Sequence, residues 1–149
     1  MQNNFWKKLN KPRLRQGFGG QAILALAPMA GVSDSAFRQL CKSFGADVLY
    51  TEMVSADALN YDSKKTLELL KFNKNEKPIV VQLFGKRVEM FPKAIKIIEK
   101  CGFDGIDLNF GCPAKKVVAH GGGVTLMRDL DKCYELIKTV CNNTKLPVS

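Results

Sequence analysis

Residues 78–109 read PIVVQLFGKRVEMFPKAIKIIEKCGFDGIDLN. Pro78 introduces a mainly apolar run, IVVQLF, that Gly85 stops, and this is how a strand covered on both faces reads. Over residues 88–100, Ala94, Ile95, Ile97 and Ile98 recur at helical spacing, and Pro92 fits only in the first turn of such a helix. Residues 105–109, GIDLN, then read as a second strand. Strand, helix and strand in so short a space predict parallel strands joined by a right-handed crossover.

The same alternation extends both ways. Upstream, residues 23–27 (ILALA) and 48–51 (VLYT) read as strands. Between them a helix is expected over residues 35–43, capped by Ser33-Asp34, with Phe37, Leu40 and Cys41 on one face and Gly45 just past its end. Residues 63–72 carry helical spacing through Leu67, Leu69 and Leu70. Downstream, a glycine-rich loop is expected over 110–123, a helix over 131–142, and the beginning of a fifth strand over 146–149. The expected fold is α/β: a partial TIM (β/α)8 barrel of about four βα units plus the start of a fifth strand, with an open doubly wound sheet as the competing architecture. Two segments follow, a basic, Gly-rich N-terminal one over 1–22 and the half barrel over 23–149. A chain that stops inside a strand is expected to be a fragment of a full barrel and inactive alone.

Composition bounds the function. The chain has 149 residues, 46% of them hydrophobic and 25% charged, which excludes general disorder. No apolar run approaches the roughly 18 residues of a membrane helix, so no membrane partner is expected. Lys and Arg number 23 against 14 Asp and Glu, a net charge of +9, which favours an anionic partner such as nucleic acid. Five cysteines without a C-x-x-C, and a single histidine (His120), argue against a disulfide scaffold and against a metal site. A reduced, cytoplasmic protein is expected, with nothing to indicate a homo-oligomer.

In parallel α/β folds ligands meet the carboxyl ends of the strands. The residues expected there are Pro28-Met29-Ala30, Glu52-Met53-Val54, Gln82, and Asn109-Phe110-Gly111-Cys112-Pro113. Backbone and soft side chains at 28–30, with amides at 82 and 109, suit the polar edge and flat face of a flavin. These tips carry no carboxylate pair and no Ser/His/Asp set, which leaves the difficult step to a cofactor. Cys112 is the one cysteine in a Gly/Pro loop at a strand tip, and the other four fall on or beside helices. Free cysteine titrates near about 8.5, so at neutral pH a thiol there has a proton to give. The residues alone leave two readings open, a catalytic acid and a plain loop thiol.

Five blocks together carry a family resemblance: LAPMAGVSDSAFRQLC (26–41), ADVLYTEMVSADAL (46–59), PIVVQLFG (78–85), DGIDLNFGCPAKKVV (104–118) and GGGVTLMRD (121–129). The chain resembles the N-terminal part of the tRNA-dihydrouridine synthases. The fourth block, N-x-G-C-P-x-x-K-V after an I-D-L strand, is the most specific. The resemblance implies an FMN-dependent oxidoreductase that reduces uridine in tRNA to 5,6-dihydrouridine, with NADPH or NADH as electron donor. It implies FMN contacts at Pro28, Met29, Ala30, Gln82 and Asn109, a proton donor at Cys112, uracil placement by Asn109, and tRNA phosphate contact by Lys116. Two alternatives are a dihydroorotate-dehydrogenase-like flavoenzyme and a non-catalytic, basic RNA-binding remnant of such a barrel.

Overall fold

The computed structural model describes residues 4–9 and 23–149. Its centre is a four-stranded parallel sheet in the order β1 (Ala25–Leu26), β2 (Val48–Ser55), β3 (Ile79–Phe84), β4 (Gly105–Leu108). Helices α2 (Ser35–Ser43), α3 (Ala56–Asn60), α4 (Lys64–Glu68), α5 (Phe91–Cys101), α6 (Lys115–Ala119) and α7 (Leu130–Asn143) lie between or after the strands. Near the N-terminus stands one helical turn, α1 (Trp6–Leu9). Sequential parallel strands with helical crossovers are the architecture of a partial (β/α)8 barrel.

The two faces of the sheet differ in chemistry. Leu49, Ile79, Val81, Leu83, Ile106 and Leu108 face the helices and are buried with Phe91, Ala94, Ile95 and Ile98 of α5 and Leu136 and Val140 of α7. The α5 residues recur at i, i+3, i+4 and i+7, one stripe of a helix. On the other face Val48 and Val80 pack with Phe5 from the N-terminal turn, against Trp6, Leu9 and Tyr50. Gly105 shares that face, where a Cβ would meet the Phe5 ring at 3.3 Å. The expected separate segment 1–22 therefore contributes residues 4–9 to the packing; residues 10–22, with their glycine-rich stretch, lie outside the described residues.

Several boundaries differ from the sequence reading. The first strand holds only Ala25–Leu26, although Leu24 is tied to Asp47 by a 2.9 Å hydrogen bond to its N–H. The second runs on to Ser55, four residues further than expected, through a bulge between Tyr50 and Met53. Glu52, Met53 and Val54 thus lie inside the strand, not after it. The helix expected over 63–72 shortens to α4, capped by Ser63, and an unexpected helix, α3, capped by Ser55, precedes it, the two parted at Asp62, which sits at φ +50°. On α2 the buried side chain is Arg38, and Leu40 is exposed, because the helix turns a polar network toward Glu76 and the Lys71 carbonyl. Cys101 is the last residue of α5, not past it. The loop expected over 110–123 contains α6, seated by buried Val117. The expected fifth strand is one parallel bridge, Ile106 to Val148, with flanking backbone bonds of 2.8–3.0 Å.

Candidate active site

The bulge in β2 aligns the site. Tyr50 pairs with Val80 and Met53 with Gln82, so three steps on β2 match two on β3. One extra residue changes which side chains share a face, and Met53 comes to stand beside Gln82. The Gln82 N–H finds its acceptor in Thr51 Oγ1 at 3.2 Å.

Pro28, Met53, Gln82, Leu108, Asn109, Phe110, Gly111 and Cys112 line an open cleft of about 340 Å³ at the carboxyl ends of the strands. Four of the residues expected in the site, Pro28, Gln82, Asn109 and Cys112, therefore meet here. Met29 and Ala30 are exposed beside it in a turn built on Ser33. The Met29 N–H donates to Ser33 Oγ at 2.9 Å, that hydroxyl donates to Met29 O at 3.0 Å, and the Gly31 N–H is held by the Glu52 carboxylate. Lys116 is exposed on α6 and is not among the residues of the cleft lining. Met53 and Phe110, expected at the strand tips but given no role, line the cleft as well; sequence reasoning missed Leu108 in the lining, and it missed Asp107. The period-2 pattern of GIDLN puts Asp107 on the same face as Asn109, the one signal that pointed to it.

Inside the cleft, polar groups are spent on one another. Gln82 and Asn109 are each 8% exposed. Gln82 Nε2 donates to Asp107 Oδ2 at 2.7 Å, and Asn109 Nδ2 donates to Gln82 Oε1 at 3.0 Å. Asn109 Oδ1 accepts the N–H groups of Gly111 (3.2 Å) and Cys112 (2.9 Å). An amide nitrogen has two hydrogens and an amide oxygen two lone pairs. Asn109 thus keeps a single N–H for a ligand, while Gln82 keeps one N–H and one lone pair. Cys112 is half-buried, and its carbonyl accepts the Val124 N–H at 3.1 Å. That closure requires Gly123: it sits at φ +59°, and a Cβ there would lie 2.4 Å from Cys112 O.

A second cleft, of about 450 Å³, is lined by Ser55 and Phe84 at the ends of β2 and β3 and by Ala119, His120 and Gly122. Lys86, Arg87 and His120 line it, with Arg87 paired to Asp57. His120, within the loop expected over 110–123, follows α6 and is exposed. Beneath the first cleft Tyr50 titrates above its ordinary range, chiefly because burial disfavours the phenolate. Among the described residues no His, Cys, Asp and Glu side chains group to hold a metal ion, no helix is long and apolar enough to cross a membrane, and the five cysteines are free.

Comparison with known proteins gives this geometry its family. The sequence model of the family described as Dihydrouridine synthase (Dus) matches residues 25–149. The chain belongs to the dihydrouridine synthase family. Among its relatives, a probable tRNA-dihydrouridine synthase of Helicobacter pylori is 38% identical over 133 residues, covering 89% of this chain and 40% of the relative. One from Rhizobium leguminosarum bv. phaseoli is 40% identical over 126 residues, 85% of this chain and 39% of the relative. The tRNA-dihydrouridine synthase B of Pseudomonas aeruginosa is 38% identical over 126 residues, 85% and 38% of the two chains. This family member thus spans about 40% of the length of the relatives it matches. The matched segment begins at β1 and holds the whole parallel sheet, Cys112 and its supporting amides.

Proposed function

We propose that this chain supplies the first half of an FMN-binding (β/α)8 barrel, residues 23–149, whose reaction is reduction of uridine in tRNA to 5,6-dihydrouridine. The observation that carries the reading is the meeting of Gln82, Asn109 and Cys112 in one rim cleft of a family member.

The donor set fits a flavin. Pro28, Met53, Leu108 and Phe110 offer an apolar wall, and Gln82 offers a donor and an acceptor together, as a flat ring with a polar edge requires. Residues 28–30, Gln82 and Asn109 would hold it. Bound there and reduced by NADPH or NADH, FMN would supply hydride chemistry at uracil C6. The chain's own residues do the rest. Cys112 Sγ–H gives the proton that C5 needs, which completes addition across the 5,6 double bond. The free Asn109 N–H faces a ring acceptor, such as a pyrimidine carbonyl, and so orients the base. A uridine in folded tRNA reaches such a cleft only after leaving its stack. Lys116, exposed on α6, would meet phosphate rather than the base, which adds affinity without reading sequence. The net charge of +9 favours the same partner.

The test is a chimera in which residues 25–149 replace the matching segment of the Helicobacter pylori relative, assayed for dihydrouridine in unmodified tRNA. Activity is expected, and Cys112→Ala should cut the reduction step by a factor on the order of 10²–10⁴. A folded, flavin-loaded chimera that leaves tRNA unreduced, or a Cys112→Ala chimera with an unchanged rate, refutes the reading. Orotate as an alternative substrate separates it from a dihydroorotate-dehydrogenase-like reaction.

A further inference from the structure

The hydrogen-bond chain in the cleft starts from a group that no step of the reaction uses, Asp107 of β4. A carboxylate only accepts, so the Gln82 atom that faces it must be Nε2. Gln82 then turns Oε1 toward Asn109, and Asn109 must answer with Nδ2. That choice turns Asn109 Oδ1 toward the N–H groups of Gly111 and Cys112, which also demand an acceptor. Every link has one consistent orientation. Flipping the Gln82 amide would set an oxygen against a carboxylate at one end and two NH2 groups against each other at the other. Amide orientation is often ambiguous in a structure; here the chemistry at both ends fixes it. Asp107 is itself held, because Ser149 Oγ donates to its Oδ1 at 2.9 Å. Gln82 and Asn109 are buried, so water does not readily replace a missing partner.

We propose that Asp107 is a positioning residue for the reaction centre: its carboxylate sets the orientation of the Gln82 and Asn109 amides and, through them, fixes the backbone that carries Cys112. The functional meaning rests on Cys112 being the proton donor. The relay also determines what the site offers a bound ring. With the Asn109 oxygen spent on the loop, the group it presents is a donor.

The experiment reads the relay in the full chain without flavin or tRNA, so its failure and failure of the reductase reading are told apart. Alkylation rates of the individual thiols are followed by peptide mass spectrometry, with amide hydrogen exchange at Gly111 and Cys112. Asp107→Ala should raise Cys112 alkylation at least fivefold and speed exchange at both amides, while exposed Cys101 and Cys141 keep their rates. Asp107→Asn, which still presents an oxygen to Gln82 and an amide to Ser149, should stay within twofold of the parent. Gln82→Met breaks the same chain one link later, so it should match Asp107→Ala, and the double variant should react no faster than either single one. Independent, multiplying effects, or an Asp107→Ala chain whose Cys112 reacts within twofold of the parent, overturn the proposal. If Asp107→Ala does not fold, Gln82→Met decides: a rate within twofold of the parent overturns the relay, and a fivefold rise with Asp107→Asn unchanged sustains it.

Discussion

Replacing Arg38 by leucine should be among the most damaging single changes in this chain. Arg38 is 2% exposed and Glu76 fully buried, and they meet Nε to Oε2 at 2.6 Å. The rest of the guanidinium is also committed, Nη1 to Ser33 O at 2.8 Å and Nη2 to Lys71 O at 3.0 Å. Glu76 Oε1 accepts from Ser35 Oγ at 2.6 Å and from the Asn73 N–H at 2.7 Å. Arg38→Leu leaves a fully buried carboxylate with only two neutral donors, and strands two carbonyls. Removing one partner of a buried pair costs about 3–5 kcal/mol. Spread over a urea slope of about 1–3 kcal/mol/M, that lowers the unfolding midpoint by roughly 1–5 M. Domains are stable by only about 5–15 kcal/mol, so the loss is a large share of the whole. Equilibrium urea unfolding followed by circular dichroism measures it. Lys71→Ala provides the contrast, since the Lys71–Glu68 pair is 72% and 63% exposed and such pairs contribute about 0–1 kcal/mol. Adding Glu76→Gln to Arg38→Leu should recover part of the loss, because an amide is cheaper to bury than a lone charge. An Arg38→Leu midpoint no lower than that of Lys71→Ala refutes the reasoning. The effect reaches the site, since the Ser33 carbonyl held by Arg38 belongs to the turn that shapes residues 28–33.

Three further outcomes are expected. Gly123→Ala meets Cys112 O and a left-handed φ together, so it should lower the thermal midpoint by several degrees and raise the alkylation rate of Cys112. Thr51→Val keeps the shape but deletes the acceptor of the buried Gln82 N–H, a loss of about 1–3 kcal/mol readable in urea titrations; an unchanged midpoint would show that the bulge does not depend on the hydroxyl. Tyr50 is raised by burial, so the folded chain holds that proton more tightly than the unfolded one. Its contribution is complete below the unfolded phenol range, near about 10, and is lost as pH rises through the folded value, so Tyr50→Phe should flatten the alkaline fall of urea midpoints.

Much of the scaffold was legible because it is local. IVVQLF is apolar enough to be a covered strand in any α/β setting, and β3 occupies those six residues. Asp34 and the helical spacing after it bound α2 at Ser35–Ser43. Less of α2's packing was legible, because apolar spacing favoured Leu40 while the partner that buries Arg38 lies 38 positions away. The bulge was equally hidden. VLYTEMVS has no glycine or proline to mark it, and only the register against β3 reveals the extra residue. Met53 entered the cleft through that register shift.

The sequence by itself determined a parallel strand-helix alternation, a family, and four residues, Pro28, Gln82, Asn109 and Cys112, that converge at one rim. Tertiary structure decided how those residues spend their hydrogen bonds. Asp107 takes the Gln82 amide, Asn109 brackets the cysteine loop, and Arg38 and Glu76 neutralise each other beneath the first turn. Apolar periodicity is written in neighbouring residues, but the partner of a buried donor or charge is chosen by whichever distant strand the fold brings within about 3 Å.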